Sequence, residues 1–271
     1  MPRVLVVLLA VLLAGSLEVA APASTAQAAT TVKVRLRTAV YRLPVAAENR
    51  AGYRRSKFRL WVDADHDCRD TRDEVLASES RVRVTGCDVR RGRWTSYYDG
   101  RTFTRSSGLD IDHLVPLAEA WDSGARRWSA GTRERYANDL GDSRTLVAVS
   151  ASTNRAKGDR DVAQWLARRG RCRYVSQWTA VKTRWRLTVD RAEKSRLTRL
   201  AAGCPNVVLT LHRATVVKAG STPPASGGGA NDPRFRTCAD AKAAGYGPYR
   251  RGRDPEYFWY RDSDSDGVVC E

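Results

Sequence analysis

The chain has 271 residues, a net charge of +17 and six cysteines, but only three histidines and no Cys-x-x-Cys pair. A tetrahedral structural zinc site is therefore poorly supplied with ligands, and beyond the first residues no apolar run approaches the length of a membrane span. The positive charge belongs to residues 31–230, because the two flanks nearly balance; a field of that sign draws polyanions, whether nucleic acid, cell-wall polymer or acidic lipid.

Arg3, the apolar run from Val4 to Ala14 and the small-residue site Ala26-Gln27-Ala28 read as a signal peptide over residues 1–28. The mature protein is thus expected outside the cell or at the cell wall, monomeric and without a stable membrane anchor. Residues 31–218 suffice for an ordinary core and mix helical with strand signals, so the class is α+β. In chain order, the alternation of Arg81 to Thr85 predicts a strand, and Thr145 to Val149 predicts a second. Asn154 to Arg169 predicts a helix, Trp178, Val181 and Trp185 recur as core packing on another, Asp190 to Ala202 predicts a third, and His212 follows the strand-like run Val207 to Leu211. Residues 219–231 have the small, uncharged, Gly- and Pro-rich composition of a flexible linker. The remaining segment, 232–271, is too short to hold a fold without a staple. Each successive cysteine pair brackets a compact stretch, which favours Cys68 with Cys87, Cys172 with Cys204 and Cys238 with Cys270 among fifteen pairings.

The most chemical stretch is Gly108-Leu-Asp110-Ile-Asp112-His113-Leu-Val-Pro116, answered downstream by Asn154-Arg155-Ala-Lys157. In-line attack of water on a phosphodiester needs a base near neutral pKa and a cation to offset the charge of the crowded transition state. His113 is the candidate base. Asp112 and Asn154 offer hard oxygen ligands suited to Mg²⁺ or Mn²⁺, and Asp110 would orient the histidine or a metal-bound water. Arg155 and Lys157 would hold phosphate oxygens, although either could be an ordinary solvated cation.

The motif Asp-Ile-Asp-His-Leu-Val-Pro with Asn-Arg-Ala-Lys is similar to the HNH, or ββα-metal, nucleases. The wider run through Tyr136-Ala-Asn138-Asp-Leu and Gln164-Trp-Leu resembles secreted HNH proteins related to the C-terminal domain of the GmrSD restriction endonuclease, over roughly residues 55–204. This resemblance implies a ββα-metal core with added helices and strands, cleavage of DNA or RNA to 5′-phosphate and 3′-hydroxyl ends, and a supporting role for Asn138 in fastening the loop that carries the site. Ahead of it, Asp63, Asp65, His66, Asp67, Asp70, Thr71 and Arg72 form an acidic cluster. Its plainest reading is a helix cap beside a disulfide; a cation loop, and Arg72 as a phosphate contact, remain open.

Near the end, Asp262, Asp264 and Asp266, then Gly267 and Val268, reproduce the opening of a calcium loop. With Cys238 ahead of it, the segment resembles the Excalibur calcium-binding domain, a small domain stapled by disulfide and Ca²⁺. The loop reaches only its tenth position at Glu271, so that residue or the terminal carboxylate would stand in for the usual bidentate glutamate. The leading expectation is a secreted, metal-dependent endonuclease of low sequence specificity that cleaves DNA, with RNA as a further candidate substrate. The alternative is a calcium-dependent extracellular or cell-wall polyanion-binding protein whose HNH-like domain no longer turns over.

Overall fold

The computed structural model describes residues 31–220, 235–243, 246–251, 255–262 and 267–270. The signal peptide, most of the linker, and Asp264, Asp266 and Glu271 lie outside the described residues. The chain runs β1 (Thr31–Arg35), α1 (Leu36–Arg42), α2 (Thr71–Glu79), β2 (Arg91–Thr95), β3 (Thr102–Arg105), β4 (Leu109–His113), α3 (Leu117–Asp122), α4 (Ala130–Ala137), β5 (Leu146–Ser150), α5 (Ala151–Lys157), α6 (Arg171–Arg184), α7 (Arg191–Ala202) and β6 (Val208–His212). After the linker come α8 (Cys238–Ala243), β7 (Tyr249–Arg250) and β8 (Val268–Val269). The strands pair as four antiparallel ribbons, β1 with β6, β2 with β3, β4 with β5 and β7 with β8. The fold is α+β, and among the described residues no helix is long and apolar enough to cross a membrane.

The ribbon β4–β5 lies between two apolar clusters because its side chains alternate. Leu109 and Ile111 of β4 and Leu146 and Ala148 of β5 join Val75 and Leu76 of α2 in one cluster, whereas Val147 and Val149 turn to the main core. That core is built largely on α6, whose Tyr174, Trp178 and Val181 are buried with Trp185 just beyond. The tryptophans that recur along the sequence are therefore core packing. Helices α2 and α7 start at Asp70 and Asp190, whose side chains accept the Asp73 and Glu193 amides. Three disulfides close the map, Cys68–Cys87, Cys172–Cys204 and Cys238–Cys270.

Two elements differ from expectation. Arg81 to Thr85 form no strand: only Val84 packs against a core, Val82 is 46% exposed, and the neighbouring strand is β2 instead. The helix expected over Asn154 to Arg169 is confined to α5. Gly158 follows it at φ +57°, ψ −138°, a conformation that breaks the helix, and Asp161 then holds a turn by accepting the Ala163 and Gln164 amides.

Candidate active site

Helix α5 begins on the residue after β5, so β4, β5 and α5 form one compact unit. Residues 110 and 112 alternate onto the face of β4 that meets α5, and positions 154 and 157 lie on neighbouring turns of the helix. Asn154 Nδ2 donates to Asp110 Oδ2 at 3.2 Å, and Lys157 Nζ reaches Asp112 Oδ1 and Oδ2 at 2.7 and 2.8 Å. Lys157 also donates to the His113 carbonyl at 2.9 Å, and the Tyr98 hydroxyl donates to Asp112 Oδ2 at 2.5 Å. The site thus has an open half and a closed half. Asp110 is 31% exposed, with the Arg155 guanidinium 3.9 Å away and itself 78% exposed. Asp112 and Lys157, by contrast, are buried. Burial pushes the Asp112 carboxyl up and the Lys157 ammonium down, and their mutual attraction opposes both shifts.

The expected pairing of Asp112 with Asn154 is therefore not what the side chains adopt. Asn154 meets Asp110, and Lys157, expected at a phosphate, is spent on Asp112. The cause is the register of α5 on β4, which brings the ammonium to a carboxylate that would otherwise be buried without a counter-charge.

His113 leaves by the opposite face. Its ring lies between Trp61 and Tyr136, with centroids at 5.8 and 6.2 Å. Nε2 is 2.9 Å from the Ala137 carbonyl, a contact that makes it the donor and leaves Nδ1 as the basic nitrogen. Burial lowers the imidazole to about 3. Asn138 fixes that carbonyl: its Oδ1 accepts from the Val62 amide and the Thr71 hydroxyl, and its Nδ2 donates to the Arg59 and Glu134 carbonyls. Arg72 sits on α2, on the far side of the ribbon from α5. Its Nη2 lies 3.4 Å from the Ser106 carbonyl, and its buried Nη1 has no protein partner.

The roles of Tyr98 and Trp61 were not readable beforehand. An aromatic residue in a loop carries no spacing signal, and only the packed fold shows Tyr98 capping a carboxylate and Trp61 covering an imidazole. Asp63, Asp65 and Asp67 converge within 4.8 Å beside the Cys68–Cys87 bridge, and His66 is exposed. His212 is structural, its Nδ1 3.0 Å from the Thr31 hydroxyl across β1–β6.

The family of GmrSD restriction endonuclease C-terminal domains matches residues 67–200, a span that runs from α2 into α7. An uncharacterized secreted protein of Arthroderma benhamiae is 41% identical over 157 residues, covering 56% of this chain and 76% of its own length. The chain belongs to this GmrSD C-terminal-domain family. No solved structure matches it. Family membership makes it nuclease-related, and the disulfides together with the secreted relative place it in an extracellular, oxidising setting.

A second match, to the Excalibur calcium-binding domain, covers residues 235–271. There the disulfide Cys238–Cys270 ties α8 to the end of β8, around a small core that includes Ala241, Tyr249, Tyr257 and Val269. Asp262 Oδ2 accepts from the Tyr257 hydroxyl at 2.6 Å and from the Gly267 amide at 3.0 Å. Gly267, at φ +86°, makes the sharp turn that a calcium loop requires at its sixth position. Val268 begins β8.

The donor chemistry on the open half of the active site fits a divalent cation. Asp110 and Asn154 are adjacent, oxygen-bearing and partly exposed, and turning the Asn154 amide by half a revolution exchanges its N–H for Oδ1. Asp112, directly behind, is a third oxygen donor, and with no sulfur and no imidazole on this face the set suits a hard ion.

Proposed function

We propose that the protein is a secreted endonuclease of the HNH type, hydrolysing phosphodiester bonds of DNA, and of RNA by the same chemistry, with little sequence preference and with Mg²⁺ or Mn²⁺ as cofactor. The observation that carries this reading is the β4–β5–α5 unit, which sets two carboxylates against Asn154 and Lys157 in a restriction-endonuclease-related domain. Asp112 and Asn154 would hold the ion, with Asp110 beside them. The bound ion would polarise a phosphate oxygen and offset the charge of the transition state.

The protein's own residues supply the rest. Arg155 is exposed and reaches a phosphate oxygen from the open side. Lys157 keeps Asp112 neutralised while no other cation is bound, and becomes available to a phosphate when one is. His113 is the base: its anchored Nε2 leaves Nδ1 to take a proton from water, and leaving the buried pocket that holds its pKa down restores the basicity the step needs. Its ring must turn out from between Trp61 and Tyr136 to do so. Asn138 supports the site by fixing the Ala137 carbonyl, whereas Arg72, across the ribbon with its Nη1 buried, is given no phosphate. Among the described residues no recognition module accompanies the site; on this reading binding rests on phosphates and weakens steeply with salt.

A second reading is favoured by that closure of Asp112 and His113: a calcium-dependent polyanion-binding protein of the cell surface without turnover. Supercoiled plasmid incubated with the disulfide-intact protein in Mg²⁺, Mn²⁺, Ca²⁺ or EDTA separates the two. Nicking that requires the ion and is lost in His113→Ala and Asn154→Ala is the expected result. Retention of DNA with no cleavage under any ion establishes the binding protein instead.

A further inference from the structure

Behind the nuclease face, five carboxylates from four separate stretches meet: Glu48 after α1, Glu119 and Asp122 on α3, Asp161 after α5, and Asp190 at the start of α7. Oxygens of Glu48, Glu119 and Asp122 lie within 4.8 Å of one another, and so do those of Glu48, Asp161 and Asp190. In a chain of net charge +17 this is a local reversal of sign. Two cations answer them in the described residues: Arg50 Nε donates to Asp122 Oδ2 at 2.7 Å, and Lys182 Nζ to Glu119 Oε1 at 2.5 Å.

Asp122 supplies the deciding observation. It is 5% exposed, yet its Oδ1 is buried with no hydrogen-bond partner while Oδ2 is taken by Arg50. A buried carboxylate oxygen left without a donor is costly, and a cation is what satisfies it in the company of other carboxylates. The other buried members are already positioned by one oxygen each. Glu119 Oε1 accepts from Ser123, Asp161 Oδ1 from the Ala163 and Gln164 amides, and half-buried Asp190 from the Glu193 amide. Glu48 is exposed and forms the mouth.

We propose that Glu48, Glu119, Asp122, Asp161 and Asp190 form a third divalent-cation site, of the calcium class, that ties the segment after α1, helix α3, the turn after α5 and the start of α7 together. An all-oxygen set of this size drawn from loops suits Ca²⁺, which accepts irregular coordination by six to eight oxygens, better than Mg²⁺, which demands an octahedron. With no sulfur or imidazole among the ligands, zinc and copper are disfavoured.

The test uses full-length, disulfide-intact protein carrying Asp262→Asn, which disables the Excalibur loop, with calcium binding followed by isothermal titration and by metal analysis after dialysis. This protein is expected to retain one equivalent of Ca²⁺ and to melt at a higher temperature in millimolar Ca²⁺ than in EDTA. Adding Glu48→Gln, a substitution at an exposed side chain, is expected to weaken that binding at least tenfold and to shrink the calcium-induced rise in Tm. In EDTA the same substitution should leave Tm unchanged or raised, because it removes repulsion. Asp122→Asn in the same background is expected to abolish the binding. An Asp262→Asn protein that binds no calcium overturns the proposal, and so does binding that Glu48→Gln leaves unaltered.

Discussion

Lys157 and Lys182 are both sealed from solvent, yet their surroundings treat the ammonium oppositely. Lys182 lies between two carboxylates, Glu119 at 2.5 Å and Glu193 at 3.0 Å, with the Ser123 hydroxyl and Thr188 carbonyl also accepting from it. Burial alone would lower its pKa; the two carboxylates outweigh that and raise it. Lys157 has one carboxylate, Asp112, and its pKa remains lowered by burial. One compensated pair of charges inside a protein roughly breaks even against desolvation, whereas a second carboxylate holds the lysine firmly charged. Lys182 is thus a fastener of α3, α6 and α7. Lys157 is a removable counter-ion, whose partner a divalent cation could share.

Replacing Lys182 with methionine should break the fastener and cost about 3–5 kcal/mol, because it strands two buried carboxylates; urea denaturation at pH 7 measures it, and Mn²⁺ is expected to leave most of the loss in place, because Glu193 stands apart from the carboxylate cluster that includes Glu119. Lys157→Met strands only Asp112 and should cost less, about 3 kcal/mol, with a distinguishing sign. Millimolar Mn²⁺ is expected to recover part of the lost stability, since the vacated carboxylate can take the ion. Equal behaviour of the two variants toward Mn²⁺ would erase the distinction.

Glu79 offers a smaller test with no lysine at all. Its side chain is exposed at the end of α2, yet one carboxylate oxygen accepts from the Ala148 amide at 3.2 Å, and desolvation of the carboxyl against the fold raises it from 4.5 to about 7. Because the folded value lies above the unfolded one, the protonated form favours folding. That contribution is complete below about pH 4.5 and is lost as pH rises through about 7. Glu79→Gln should therefore be slightly more stable than wild type at pH 8, by under about 1 kcal/mol because the side chain is exposed and solvent-screened, and nearly equal to it at pH 4.5, as paired thermal melts would reveal. The least effect on the fold is expected at Asn154. Its alanine variant should unfold within about 0.5 kcal/mol of wild type while metal-dependent nicking falls roughly 100-fold or more, so the open half of the site would prove separable from the core.

Much of the outline was legible because it depends on local chemistry. Asp190 caps α7, the buried Trp178 and Val181 repeat along α6, and each cysteine found the next in sequence, since short loops close most easily. The strand expected over Arg81 to Thr85 failed because alternation indicates a strand only where its apolar face meets a core throughout, and here Val84 finds one while Val82 does not. The helix expected to continue to Arg169 failed at Gly158, where a positive φ ends α5. Within the site, the motif named the residues but not their partners. Adjacent strand residues face opposite ways, so Asp112 and His113, neighbours in sequence, are separated by the ribbon itself.

From the sequence by itself came the family, the secreted and disulfide-bonded character, the calcium loop that opens at Asp262, and the residues able to carry phosphodiester chemistry, because each is a matter of residue type at fixed spacing. The tertiary structure alone decided which groups touch: Lys157 on Asp112, Asn154 on Asp110, and His113 between Trp61 and Tyr136. It alone gathered Glu48, Glu119, Asp122, Asp161 and Asp190 as well. Those carboxylates lie far apart in the chain, and no periodicity announces them. Their proximity follows from how α3 and α7 pack against α6, and packing is a property of the whole core that no short stretch of sequence contains.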